Sequence, residues 1–498
     1  MAVSASLLAA DPSDPQSRSE AKDDPANELG KEEALAARVR LPEAQATVRE
    51  LTAIGPRTGG TPSGDRAAAA VAARLTRLGL KVEVIDDPPR RTHLETSWKV
   101  ALDGRALESA WPWNFSPALP AVTARLVAQN VDGPEAATDL KGAVVLATGR
   151  MSRNAIETMA KAGAIAVLTD DPADPNRYAD WAPIRDLHEG GASLPVFGLS
   201  YHDGRRAREA LSTAGAVPRV AVELVSQTLV GSPRTVVATL DGAGARRDDI
   251  LIVCAHGDSD SGGPGADDNA SGVVTLIEVA RALSGAAAEG LLPASRPQVR
   301  FIVWGAEYDS TRAWLKAHAA ELPRVKAVIN YDETGTGAER DAVYYEGNDI
   351  PWNEILLRTL EAVANDHAGK PGFPASWTSN PALGGTDAYV FLPKKYQGDG
   401  LTEEKIPATT VFSGAWDAPT RVPQTPGWRS KGWREEGDLF VDYSAYYHSS
   451  GDTPAHTTDA EPWNMERCAK LVAVGVYRLM RLTAAGSSAP PVPASPHR

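Results

Sequence analysis

The chain is punctuated by short, almost wholly apolar runs at 235–240, 250–255, 298–304, 327–331 and 406–412. Runs of that length, apolar at successive rather than alternate positions, are the pattern of strands buried on both faces. Between and around them, apolar residues recur at helical spacing over 65–80, 271–283, 310–320, 352–365 and 463–482. Strand and helix in alternation predict an α/β fold, a mixed and mostly parallel central sheet flanked by helices.

One stretch breaks this pattern. After strands at 81–85 and 98–102, residues 110–228 read as a β-rich module of their own. It has strands at 143–148, 164–168, 194–199 and 219–225, and helices at 152–162 and 203–214. The expected division is an N-terminal extension over 1–40, a first part of the main domain over 41–109, the insertion over 110–228, a second part over 229–486 and a loose tail over 487–498. At roughly 100–200 residues per domain, 498 residues suffice for this. Asp, Pro, Ser, Glu and Lys dominate 11–31, a composition that predicts disorder. The small residues around Ala9 and Ala10 suit the end of an export signal, although a basic leading segment is missing. The reading leans to a secreted or periplasmic protein, with the cytoplasm as the alternative.

Composition removes other classes. With 51 Lys+Arg against 64 Asp+Glu the net charge is −13, and no long basic run exists to meet nucleic acid or an anionic membrane. No uninterrupted apolar stretch reaches the ~20 residues that span a bilayer. Two cysteines, Cys254 and Cys468, make neither a disulfide framework nor a thiolate zinc site.

The chemistry-bearing residues follow the predicted strands. The run at 250–255 leads into His256-Gly257-Asp258-Ser259. A glycine-rich loop then gives Gly265-Ala266-Asp267-Asp268-Asn269-Ala270-Ser271-Gly272 at the start of a helix. The run at 298–304 leads into Gly305-Ala306-Glu307-Tyr308, and 327–331 into Asp332-Glu333. Far downstream, Tyr446-Tyr447-His448 precedes Ser449-Ser450-Gly451-Asp452-Thr453. In open α/β sheets, sites form where strand carboxyl ends meet their loops. Imidazoles and carboxylates converging there would make a divalent-cation site, with zinc the leading candidate.

The ordered set resembles the M28 family of zinc-dependent aminopeptidases and related carboxypeptidases. The likeness also takes in Ile54-Gly55-Pro56-Arg57 and covers most of the chain. Leu-Lys-Gly, Lys-Ala-Gly-Ala and Leu-Pro-Val stretches in the insertion resemble the protease-associated domain that often interrupts this family. The resemblance implies the zinc exopeptidase fold, a peptide substrate and one or two Zn2+ per chain. It implies that Asp268 bridges the metals, that His256 and Asp332 complete the first site and that His448 belongs to the second. Asp258 would accept the other ring N–H of His256 and fix its tautomer. Glu307 would be the general base toward the attacking water. A cis-like peptide is expected after Asp268.

The sequence departs from the family at one place. A second acidic residue normally follows the base, as a ligand of the second metal; here Tyr308 follows Glu307, in a loop shorter than usual. A neutral phenol, with a pKa near ~10, is a poor zinc ligand at neutral pH. Asp309 is then the candidate replacement, a weak or empty second site is another reading, and Glu307 as ligand rather than base is a third. Glu333 is expected to support Asp332 or to meet a substrate amino group. Asp387, in Gly384-Gly385-Thr386-Asp387, is expected near the substrate pocket. Tyr446, Tyr447, Trp416, Trp428 and Trp433 are candidates to line it, the Trp residues within a long aperiodic stretch at 393–442. An aminopeptidase leads the expectations. A one-metal carboxypeptidase or a glutaminyl-cyclase-like enzyme follows, then a relative that binds peptides without hydrolysing them.

Overall fold

The computed structural model describes residues 25–132, 139–170, 179–187, 190–213, 215, 217–259, 262–336, 342–379, 385–396, 398–413, 420–421, 429–431, 438–439 and 446–482. Among these, a nine-stranded sheet runs in the order Lys81–Asp86, Arg234–Leu240, Gln298–Trp304, Ile250–His256, Val325–Tyr331, Ala408–Phe412, Ala342–Tyr345, Ser376–Ser379, Arg429–Lys431. Its central pairings are parallel: Ile250–His256 lies between Gln298–Trp304 and Val325–Tyr331, which in turn pairs with Ala408–Phe412. Toward the first edge the pairings are antiparallel, and toward the other they are mixed.

The apolar runs are buried because both faces of this sheet are covered. Leu251, Val253 and Ala255 point into one core, and Ile250, Ile252 and Cys254 into the other. The first core is roofed by helices Leu41–Thr52, Pro62–Arg77, Gly272–Ala288, Glu354–Asp366 and Trp463–Arg481. Helix Asp309–Ala317 and the short turn Asp387–Phe391 cover the second. Gly272–Ala288 packs directly on Trp463–Arg481, which explains why it is apolar around most of its circumference. Helix Pro62–Arg77 starts where Thr61 Oγ1 accepts the Gly64 N–H and Pro62 sits in the first turn.

Two expected boundaries are corrected. The extension 1–40 is not loose throughout, because Pro25–Ala36 is a helix docked on Trp463–Arg481. Among its described side chains Leu35 and Ala36 are the fully buried apolar ones, and polar contacts carry much of the attachment. Glu32 receives Arg478 Nε and Nη2 at 2.8 Å and meets His367 Nε2 at 2.8 Å, while Tyr477 Oη donates to Glu28 at 3.0 Å. A helix held by ion pairs carries no apolar stripe to be read. The tail 487–498 lies outside the described residues.

The insertion begins earlier than residue 110. Strand Arg90–Leu102 pairs antiparallel with Arg219–Gly231 from Arg90↔Gly231 to Leu102↔Val220, so the pair leaves and re-enters the main domain as one ribbon. Only its apolar end, near 98–102, has a strand signature; Arg90-Arg91-Thr92-His93-Leu94-Glu95-Thr96 does not. The ribbon belongs to an eight-stranded sheet with a core on each face. Segment Ala182–Ile184 of this module returns to the main domain, where Pro183 forms an antiparallel bridge with Ser449.

Candidate metal centre and active site

His256 ends its strand, 1% exposed. Its Nδ1 lies 3.1 Å from Asp258 Oδ1; its Nε2 lies 3.3 Å from Asp268 Oδ1 and 3.4 Å from Asp332 Oδ1. Asp332 is brought there because the next parallel strand, Val325–Tyr331, ends at the same sheet edge. On the other side of Asp268, Oδ2 lies 3.2 Å from His448 Nε2. One carboxylate thus faces an imidazole with each oxygen.

Asp268 sits on an irregular turn, Ala266–Ser271, before the buried helix. The turn opens at Gly265, whose φ of 63° is in the left-handed region, and a Cβ there would meet Asp268 O at 2.6 Å. Asp267 and Asp268 donate their N–H groups to Asp452 Oδ1 and Oδ2 at 2.7 and 3.0 Å. The Asp268–Asn269 peptide is cis. Asn269 ties the turn to its surroundings: its Nδ2 donates to Tyr331 O, and its Oδ1 accepts the N–H groups of Gly272 and Glu333.

The electrostatics favour a bound cation. Potential ligand atoms of His256, Asp268 and Asp332 all lie within 4.8 Å of one another. Asp268 Oδ1 and Asp332 Oδ1 are buried and, apart from the ionic contacts with His256, have no hydrogen-bond partner among the described residues. Burial pushes the Asp332 carboxyl up. For His256 burial acts downward, but Asp332, Asp258 and Asp268 outweigh it and hold the imidazole well above its usual value. Buried, unmatched negative charge is costly unless a cation or proton neutralises it. Oxygen and imidazole donors together suit zinc.

Glu307 follows strand Gln298–Trp304 through Gly305-Ala306. Four successive N–H groups hold this turn: Gly305 to Thr235 Oγ1, Ala306 to Ser310 Oγ, Glu307 to Asp258 and Tyr308 to Asp387 Oδ1. Thr235 and Ser310 in turn donate to buried Asp87 Oδ2, so three carboxylates brace the backbone around Glu307.

The expectation that Asp309 replaces the second acidic ligand is corrected. Asp309 turns away from the centre: it pairs with Arg90 at 2.8 Å and Arg312 at 3.4 Å. Tyr308, at φ 54°, directs that reversal. Asp387 is fully buried and takes Thr311 Oγ1 as well as the Tyr308 N–H, with its pKa pushed up to about 7 by burial and Asp332 against hydrogen bonds and His256. The Tyr308 phenol is raised further above its usual value by burial, Glu307, Asp387 and Asp332, and so stays neutral, under Arg312 at 5.2 Å. Glu333 is buried and at φ 51°, and its carbonyl accepts from Ser413. Tyr447 stacks on His448 with ring centroids 3.5 Å apart, and Tyr446 stacks on His456. Gly384, Trp416, Trp428 and Trp433 lie outside the described residues.

Sequence reasoning assigned no role to two residues that shape the centre. Arg57 is completely buried and donates to the carbonyls of Gly257, Pro264 and Gly265 at 3.2, 3.0 and 2.7 Å, clamping the loops after His256 and before Asp268. Burial lowers its pKa to about 10, against Asp452, Asp258 and Asp268. Asp452 braces the Asp268 turn. Both lie inside motifs visible in the sequence, but only a fold tells a ligand from a brace.

Peptidase family M28 matches residues 235–473. Leucine aminopeptidase 2 of Trichophyton rubrum is 27% identical over 278 residues, 53% of this chain and 48% of that protein. The chain thus spans about half the length of that relative. Aminopeptidase YwaD of Bacillus subtilis is 27% identical over 340 residues, 65% of this chain and 66% of its own. Among solved structures, BSAP, a zinc aminopeptidase from Bacillus subtilis, superposes with a TM-score of 0.60 at 20% identity, covering 90% of this chain and 97% of that one. A peptidase M28 precursor from Shewanella amazonensis reaches 0.61 at 18% identity, over 94% and 99%. These likenesses show the fold. His256, Asp268, Glu307, Asp332 and His448 all fall within residues 235–473, the span over which this chain is similar to peptidase family M28.

Proposed function

We propose that the chain is a zinc-dependent exopeptidase that removes N-terminal residues from peptides. The observation that carries this reading is the placement of Asp268, with one oxygen toward His256 and Asp332 and the other toward His448. His256, Asp268 and Asp332 would hold one zinc, and His448 with Asp268 would contribute to a second. Zinc, when bound, supplies a Lewis acid for the scissile carbonyl and lowers the pKa of water.

The chain's own groups do the rest. Glu307 takes the proton from the attacking water and delivers it to the leaving amine. Asp258 holds the His256 ring by its Nδ1 and the Glu307 backbone by its N–H, so ligand and base keep a constant relation. Arg57 and Asp452 keep the Asp268 turn in place. The aminopeptidase names of the relatives support the N-terminal direction.

Tyr308 favours a second reading, in which a single metal is tightly held. Its phenol stays neutral and Asp309 is engaged by Arg90. Zinc content of the purified chain, followed by a screen of aminoacyl p-nitroanilides and carboxyl-blocked and amino-blocked dipeptides, tests both readings. The proposal expects between one and two zinc per chain and hydrolysis that requires a free amino end. Bound zinc without hydrolysis would leave a peptide-binding relative, and a chain with no zinc affinity would remove the assignment.

A further inference from the structure

The loop that carries His448 is held from two sides. On its inner side, Asp452 accepts the Asp267 and Asp268 N–H groups and Asp452 O accepts the Ala266 N–H at 3.1 Å. On its outer side, the inserted module is its partner. Ile184 donates its N–H to His448 O at 2.8 Å, Ser450 donates its N–H to Ala182 O at 3.0 Å, and Ala182 donates to Ser450 Oγ at 3.0 Å. Trp181 lies against His456 with ring centroids 4.3 Å apart, and a Cβ on Gly451 would strike its ring at 2.5 Å. Gly263, from the loop before Asp268, fills the space between Ile184 Cδ1 and Ser449 O.

His448 needs such support. Its φ of 48° lies in the left-handed region, where a non-glycine residue persists only when its surroundings over-determine it. A backbone bond to the residue's own carbonyl, made by a buried neighbour, is a direct way to fix that conformation.

We propose that Ala182–Ile184 is a positioning element for His448: the inserted module, by pairing with the His448–Ser450 backbone, sets the imidazole at Asp268 and with it the zinc affinity of that side of the centre. The inference rests on the reading of His448 as a ligand. It gives the module a part in building the centre, whereas a mere cover would leave metal affinity untouched.

The experiment compares the parent and four variants of the full chain, stripped of metal and titrated with zinc against a chromophoric chelator. Ile184→Pro removes the N–H donated to His448, Ile184→Ala keeps it while trimming the side chain, and His448→Ala removes the imidazole. Ile184→Pro is expected to weaken zinc at the site that His448→Ala abolishes, by about tenfold, the usual scale for a lost outer support. Ile184→Ala should stay within about twofold of the parent, since the hydrogen bond is retained. Ser450→Ala, which removes only the acceptor for the Ala182 N–H, should fall between and keeps the test open if Ile184→Pro does not fold. If His448→Ala weakens zinc but neither Ile184→Pro nor Ser450→Ala does, the positioning role is wrong. If His448→Ala itself changes nothing, the ligand reading fails instead.

Discussion

The carboxylate of Asp258 accepts the backbone N–H of Glu307 at 3.1 Å while facing His256 Nδ1 at the same distance. A single side chain therefore connects the metal-facing imidazole with the residue assigned as base, although one ends a strand and the other follows its neighbour. Asp258→Ala is expected to lower zinc affinity by about 10–100-fold through the loss of the His256 partner. It should also lower kcat at saturating zinc, because the Glu307 turn loses its anchor. Asp258→Asn retains an acceptor and should recover part of kcat. Zinc titration and kinetics at saturating zinc separate the two effects, and equal losses for Asn and Ala would refute the anchoring of Glu307.

Glu307→Gln keeps size and hydrogen bonding but removes the base. The expected loss in kcat is on the order of 10²–10⁴-fold, with zinc content unchanged. Loss of zinc in that variant, measured by elemental analysis, would instead make Glu307 a ligand.

Tyr308 occupies the place where a second acidic ligand is expected. Tyr308→Glu exchanges a neutral ring for a carboxylate and is expected to raise affinity for a second zinc. Calorimetric titration should then show a stoichiometry closer to two. An unchanged isotherm would mean that position 308, with its φ of 54°, directs its side chain away from the metals.

Glu32 offers a pH test remote from the centre. Burial alone would raise its pKa, but Arg478 and His367 outweigh it and take it from 4.5 to about 2. A carboxylate with a depressed folded pKa stabilises the fold above its unfolded value and loses that contribution as pH falls through the folded one. Glu32→Gln should thus cost on the order of 2 kcal/mol near pH 7. The difference from the parent should shrink below pH 4.5 and nearly vanish by about pH 2. Urea unfolding across that range measures it, and a pH-independent gap would contradict the ion-pair account of how Pro25–Ala36 docks.

The main sheet was readable because its strands are buried on both sides and therefore apolar at successive positions. The observed strands Ile250–His256, Gln298–Trp304 and Val325–Tyr331 lie within two residues of the expected runs. Pro25–Ala36 was not readable, since its attachment lies in Glu28 and Glu32 meeting partners from residue 367 onward. Nor was the polar half of Arg90–Leu102, which is held by backbone pairing with Arg219–Gly231. Short polar strands such as Ser376–Ser379 leave no apolar period either.

Local order along the chain was enough to name the residues with the right chemistry: an imidazole or carboxylate following an apolar run is a local pattern, and a parallel sheet brings such ends to one edge. Folding alone assigned their roles. Asp309 and Asp387 are both acids near Glu307 in space, yet one pairs with Arg90 at the surface and the other is sealed beneath Tyr308. Which way each points depends on what packs around it, and His448 meets Asp268 from a distant loop that is hydrogen-bonded to the inserted module. Contacts between groups far apart in the chain are set by sheet order and loop packing, and these have no one-dimensional signature.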